Sequence, residues 1–237
     1  MPLELGIWRI DGSLTPLAAT RMDLEQRLED ILDRDISIAN PGWMVIGRQV
    51  DTGFGGRIDL LAIDAVGDLV LLELKRDLTS REVIAQVLEY GAWVVKLRTE
   101  DIAQTYRRYV ERFHPERGAE SFDQAFMKCF GAKEVPEDLN QSHELVVVAS
   151  QFDATSERIV DYLAEEHDVA INAIFFRVFK DGEREYLARA WLRDPSEVDV
   201  EISTKDKGEW NGEYYVSLGG DRLWEEHRKY GFISGGG

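Results

Sequence analysis

Gly55-Gly56-Arg57-Ile58-Asp59-Leu60-Leu61-Ala62-Ile63-Asp64 and, after a turn signal at Gly67-Asp68, Leu69-Val70-Leu71-Leu72-Glu73-Leu74-Lys75 decide how this chain folds. Each is a short, nearly continuous apolar run rich in branched side chains, bounded by glycine and aspartate. Such runs read as strands buried on both faces, at the centre of a sheet. Three charges stand out at the edge of that core: Asp59 on the first run, Glu73 and Lys75 on the second. Side chains two apart on a strand share a face, so Glu73 and Lys75 point the same way. Two carboxylates from neighbouring strands can converge on one hard cation, with the Leu74 carbonyl as a third oxygen donor.

The flanks supply the rest of an α/β pattern. Upstream, residues 20–35 read as a helix with Leu24, Leu28, Ile31 and Leu32 at helical spacing; Glu25 and Glu29 share another face. Asn40-Pro41-Gly42 stops it, and residues 43–50 read as a strand leading into the glycine-rich loop 51–56. Downstream, Thr79 or Ser80 can cap a helix to about residue 97. Its buried stripe is Val83, Val87, Tyr90 and Val94, and Gln86 lies one turn before Tyr90. Helices are expected over 101–112 and 122–130, a strand over 144–149, and a helix over 155–166. A hairpin of 169–179 with 184–191 is expected around Asp181-Gly182. Near the start, residues 5–10 read as a short strand. Composition changes after Asp194-Pro195. The expected layout is therefore a domain over 1–195, a mixed β-sheet flanked by helices, followed by a small C-terminal extension or the start of a second module over 196–237.

The bulk properties narrow the function. The 237 residues carry a formal charge of −17, and no large segment is basic, which argues against a protein that coats nucleic acid. A local basic groove remains compatible with that charge. The run Arg107-Arg108 with Arg112 is offset by Glu111 and Glu116 and reads as a solvated face; Arg57 and Arg76 flank the acidic positions. Cys129 is the sole cysteine, and His114, His143, His167 and His227 are scattered, so neither a disulfide nor a zinc site is expected. No apolar run is long enough for a membrane span, and the first residues lack a leader pattern; the expectation is a cytoplasmic protein.

The ordered set Gly55-Gly56-Arg57-Ile58-Asp59, Glu73-Leu74-Lys75-Arg76 and Gln86-Val87-Leu88-Glu89-Tyr90, preceded by a helix with Glu25 and Glu29, resembles the PD-(D/E)xK nuclease superfamily. Within that superfamily it is most similar to NucS-like (EndoMS-like) endonuclease domains. The resemblance implies a restriction-endonuclease-like core and a metal-dependent endonuclease that hydrolyses DNA. In it, Asp59 and Glu73 hold Mg2+ or Mn2+, Lys75 serves the attacking water, and Gln86 positions Lys75 or that water. Glu25 or Glu29 completes the site through water. It also implies a homodimer where both strands are cut. Two departures stand out: Ile58 occupies the position of the superfamily's proline, and no counterpart of the relatives' N-terminal DNA-binding domain is evident. Mismatch specificity is therefore not carried over. RNA stays open as a substrate, because no residue here marks recognition of a 2′-hydroxyl. A catalytically inactive nuclease-like module that binds nucleic acid or protein is the alternative expectation.

Overall fold

The computed structural model of the chain describes residues 5–20, 25–75, 78–79 and 81–195. The expected extension over 196–237, with Leu24 and Arg76, lies outside the described residues. The elements are β1 (Trp8–Arg9), β2 (Thr15–Pro16), β3 (Ala18–Thr20), α1 (Glu25–Arg34), β4 (Trp43–Asp51), β5 (Arg57–Asp64), β6 (Leu69–Leu74), β7 (Leu78–Thr79), α2 (Arg81–Val94), α3 (Thr99–Phe113), α4 (Phe122–Phe130), β8 (His143–Ala149), β9 (Gln151–Phe152), α5 (Ala154–His167), β10 (Ile171–Asp181) and β11 (Arg184–Trp191).

A mixed sheet runs in the order β11-β10-β8-β6-β5-β4. The three strands β4, β5 and β6 form an antiparallel meander. β6, β8 and β10 are parallel, joined by crossovers that carry helices, as parallel strands require. β3 adds to β10 at Val178–Lys180, beyond the stretch that pairs with β8. Leu60–Ile63 and Leu71–Leu72 are fully buried at consecutive positions, so both faces of the sheet are covered. The apolar runs form the centre of the core for that reason.

The helices sit as their apolar stripes dictate. α2 buries Val83, Val87, Tyr90 and Val94 against β6 and β8; α5 packs on α2 and β10. α1 lies against β5 and β6, and α3 against β4. The outer strands approach each other at one end, where Trp43 of β4 and Trp191 of β11 meet edge to face at 5.9 Å. Accumulated strand twist brings the two margins of the sheet together there.

The structure departs from the sequence pattern in three strands. The expected strand over 5–10 shrinks to β1, which among the described residues pairs with β2 alone. β3 has no alternating pattern and owes its strand geometry to its long-range partner β10. β4 is not regular: a bulge between Val45 and Gly47 shifts its register on β5, and Gln49 adopts a left-handed φ of 52°.

Candidate active site

The site lies where β5 and β6 stop pairing. Their ladder ends at Leu60 opposite Leu72. One step further in the same register, Asp59 stands across from Glu73, so both side chains leave the same face. The Asp59 carboxylate takes over from the interrupted ladder: its Oδ2 accepts the Leu74 amide at 2.8 Å. The Lys75 amide donates to the Val148 carbonyl on the β8 side at 2.7 Å. Across a trans peptide the preceding carbonyl points the opposite way, so the Leu74 carbonyl faces the Asp59 side.

Lys75 Nζ donates to Glu73 Oε1 at 2.7 Å. The other oxygen of that carboxylate, Glu73 Oε2, is buried and has no hydrogen-bond partner among the described residues. Leaving a buried carboxylate oxygen unpaired is costly. Burial first, and the neighbouring Asp59 charge second, push the Glu73 carboxyl up to about 7, against the opposing pull of Lys75. Burial also raises Asp59, although the Leu74 amide, Lys75 and Gln49 all favour its charged form. Burial would lower the Lys75 ammonium, but Glu73, Asp59 and Glu25 outweigh it and raise its pKa, so the amine is held protonated. These groups combine excess negative charge, an orphaned oxygen and a third oxygen in the Leu74 carbonyl. An all-oxygen set of this kind suits a hard divalent cation, not a soft one. Among the described residues no group of three or more His, Cys, Asp or Glu is gathered closely enough to cage a metal alone. A cation that takes one or two carboxylates and fills its other positions with solvent or phosphate is the kind that fits.

Both helix glutamates of α1 border the same cavity as Asp59, which has a volume of about 550 Å³. Their roles differ. Glu29 is buried and engaged: it accepts from Arg48 Nε at 2.6 Å and from Gln49 Nε2 at 3.1 Å. Glu25 is half-buried, and its charge is felt at both Glu73 and Lys75. Gln86, expected beside Lys75, donates instead to the Tyr90 hydroxyl at 2.7 Å; among the described residues it has no hydrogen bond to Lys75. Tyr90, read from sequence as core, is buried and also accepts the Arg57 amide at 3.1 Å. Through Tyr90, α2 fixes the backbone entering β5 two residues before Asp59.

That contact requires Gly56. A Cβ added there would come within 2.5 Å of the Tyr90 ring and 2.9 Å of its hydroxyl. Gly56→Ala is therefore expected to destabilise the protein by about 1–3 kcal/mol, as overpacking of a well-filled site does. Chemical denaturation measures this; a variant as stable as the parent would show that Tyr90 yields freely.

Gln49 is the site residue that the sequence pattern does not reveal. Its amide nitrogen donates to Asp59 Oδ1 at 3.1 Å and to Glu29 Oε1 and Oε2 at 3.1 Å each. Successive strand side chains normally point to opposite faces, yet both Arg48 and Gln49 reach Glu29. The bulge and the left-handed φ of Gln49 make this possible. A non-glycine residue in that conformation costs on the order of 1–2 kcal/mol. The only sequence hint is Gly47, where a Cβ would meet Val50 at 2.5 Å. Arg48 is the hub behind the site. It also holds Asp30 at 2.5 Å and Asp33 at 3.1 Å, and Asp33 in turn accepts from the Tyr109 hydroxyl of α3 at 2.6 Å.

The fold and the site together define an α/β domain with two carboxylates and a lysine converging at the end of two adjoining central strands. No protein-family model matches the chain. Endonuclease NucS of Methanopyrus kandleri is 30% identical over 96 residues, covering 40% of this chain and 29% of the relative. The matched stretch thus spans under a third of that curated relative's length. Among solved structures, an EndoMS–dsDNA complex aligns over 65% of this chain and 46% of its own, at 15% identity and a TM-score of 0.38. A repair endonuclease from Pyrococcus abyssi aligns over 65% and 48%, at 14% identity and a TM-score of 0.38. The NucS-like character read from the motifs thus has a counterpart in a curated relative.

Proposed function

We propose that this chain is a metal-dependent endonuclease that hydrolyses phosphodiester bonds in DNA. The observation that carries this reading is the pair Asp59–Glu73, with a buried Glu73 oxygen left without a partner and Lys75 held against the other. Asp59, Glu73 and the Leu74 carbonyl would hold Mg2+ or Mn2+. Such an ion lowers the pKa of a bound water and offsets charge on a phosphate. The protonated Lys75 adds a positive charge and a donor beside Glu73, where it can orient the attacking water and steady the phosphate. Glu25 faces the same space from α1. Gln49 and Glu29 hold Asp59 in place, and Gln86 acts through Tyr90 on the strand that carries Asp59. The similarity to NucS supports DNA as the substrate. Among the described residues no helix is long and apolar enough to cross a membrane, and we place the enzyme in the cytoplasm.

The test is cleavage of labelled single-stranded, branched and mismatched DNA, and of RNA, with Mg2+ or Mn2+. Lys75→Ala is expected to slow cutting on the order of a hundredfold to ten-thousandfold, the range for losing a group that assists proton transfer. A Lys75→Ala protein that cuts as fast as the parent would remove the site from the chemistry. A parent that binds DNA tightly but never cuts it would instead mark an inactive binding module.

A further inference from the structure

The cavity that holds Asp59 does not end at the acidic groups. Arg57 of β5 and Arg112 of α3 stand in its wall. A second cavity of about 290 Å³ shares Arg48, Gln49, Arg112 and Phe113 with the first and continues along α3 past Arg108 to Gln104 and Trp93. The two form one groove, leading from the candidate active site across the end of β4 and along α3.

The charges in this groove are of two kinds. Arg48 is half-buried and neutralised by Glu29, Asp30 and Asp33. Arg57, Arg108 and Arg112 are exposed, and among the described residues none has a carboxylate partner. The acids in the second cavity are committed elsewhere: Asp51 accepts the Gly53 amide, and Asp101 caps α3 through the Arg98 amide. Arg108 and Arg112 are four residues apart on α3, so they project from one face about 6 Å apart along its axis. The Arg112 guanidinium lies over the Phe113 ring at 4.9 Å, which gives it a preferred orientation. In a chain with 45 acidic and 28 basic residues, three exposed arginines without a carboxylate partner among the described residues line one groove beside the acidic centre. The sequence pattern reads the α3 arginines as a solvated face; the packing of α3 on β4 turns two of them toward the site.

We propose that Arg108 and Arg112, with Arg57 at the near end, form a phosphate track that seats the sugar-phosphate backbone of the nucleic acid beyond the cleaved bond. The track rests on the endonuclease reading above. Guanidinium groups suit it because they stay charged and bind phosphate oxygens in a fork. Contacts of this kind position a strand without reading its bases.

The test is binding of a fluorescein-labelled DNA oligonucleotide, single-stranded and duplex, by the full chain in a chelating buffer where no cutting occurs. It is repeated over a series of salt concentrations. An Arg108→Gln/Arg112→Gln protein should lose about 0.7–0.9 per contact from the slope of log affinity against log salt, and bind at least severalfold more weakly. Arg107→Gln, one residue along α3 and outside the groove, should match the parent. With metal added, the double variant should show a raised KM and a retained kcat. If the parent cuts DNA while the double variant keeps the parent's slope and affinity, the track is wrong and the active-site reading stands. If the parent neither binds nor cuts nucleic acid, that reading falls and takes the track with it.

Discussion

Glu73→Gln is expected to abolish cleavage and, without metal, to make the protein more stable at about pH 8, by about 1–3 kcal/mol. The two effects have one origin. The Glu73 carboxyl sits at about 7 in the folded protein, raised from 4.5 first by burial and then by Asp59. Between those values the folded state holds a proton that the unfolded chain has released. Stability from this group is therefore complete below about pH 4.5 and is lost as pH rises through about 7. Glutamine removes the ionisation and replaces the unpartnered oxygen with a neutral group, while its carbonyl still accepts from Lys75. Thermal melts at about pH 5 and pH 8 would show the variant's advantage at the higher value and its shrinkage at the lower. Added Mg2+ or Mn2+ should stabilise the parent but not the variant, since only a folded-state ligand site shifts the equilibrium. A variant less stable than the parent at both pH values would mean that the Lys75 contact dominates and the carboxylate is not strained.

Arg48→Met is expected to be the most damaging single change outside the apolar core, at about 3–5 kcal/mol. Glu29 and Asp33 are both buried, and Arg48 is the cation that compensates them. Burial alone would lower the pKa of this guanidinium; hydrogen bonds to Glu29 and Asp30 and the charges of Glu29 and Asp33 reverse that and raise it. Methionine fills much of the volume but leaves two carboxylates in a dry place. Denaturant unfolding near neutral pH measures the loss, and a cost below about 1 kcal/mol would show that water reaches the cluster. Arg48→Lys should recover only part of the stability, because an ammonium cannot match the fork that meets three carboxylates at once.

The fold was legible in the sequence where burial is decided locally. Two apolar runs around Gly67 are strands in any context, and the stripe of Val83, Val87, Tyr90 and Val94 can only face a core. That Glu73 and Lys75 share a face beside Asp59 followed from strand geometry, whereas their role in chemistry came only with the resemblance to PD-(D/E)xK nucleases. Long-range partners were not legible. Ala18-Ala19-Thr20 is a strand because β10 offers an edge, and Asp33 is buried because the packing of α1 on the sheet brings Arg48, distant in sequence, to within 3.1 Å of it. The role of Gln49 depends on a bulge and an inverted φ, which periodicity does not record. Glu25 and Glu29 were equivalent as letters; only the position of Arg48 separates them. The arginines of α3 read as solvated because their helix had no assigned neighbour until β4 supplied one.

The left-handed backbone at Gln49 makes that position a contest between two preferences. Glycine and asparagine are the residues that such a φ favours, and either would relieve the chain locally. Glycine has no side chain to offer, and asparagine is one methylene too short to span Glu29 and Asp59 as glutamine does here. A search for stabilising substitutions that scored backbone comfort alone would choose this residue early, and would dismantle the support of the acidic centre in doing so.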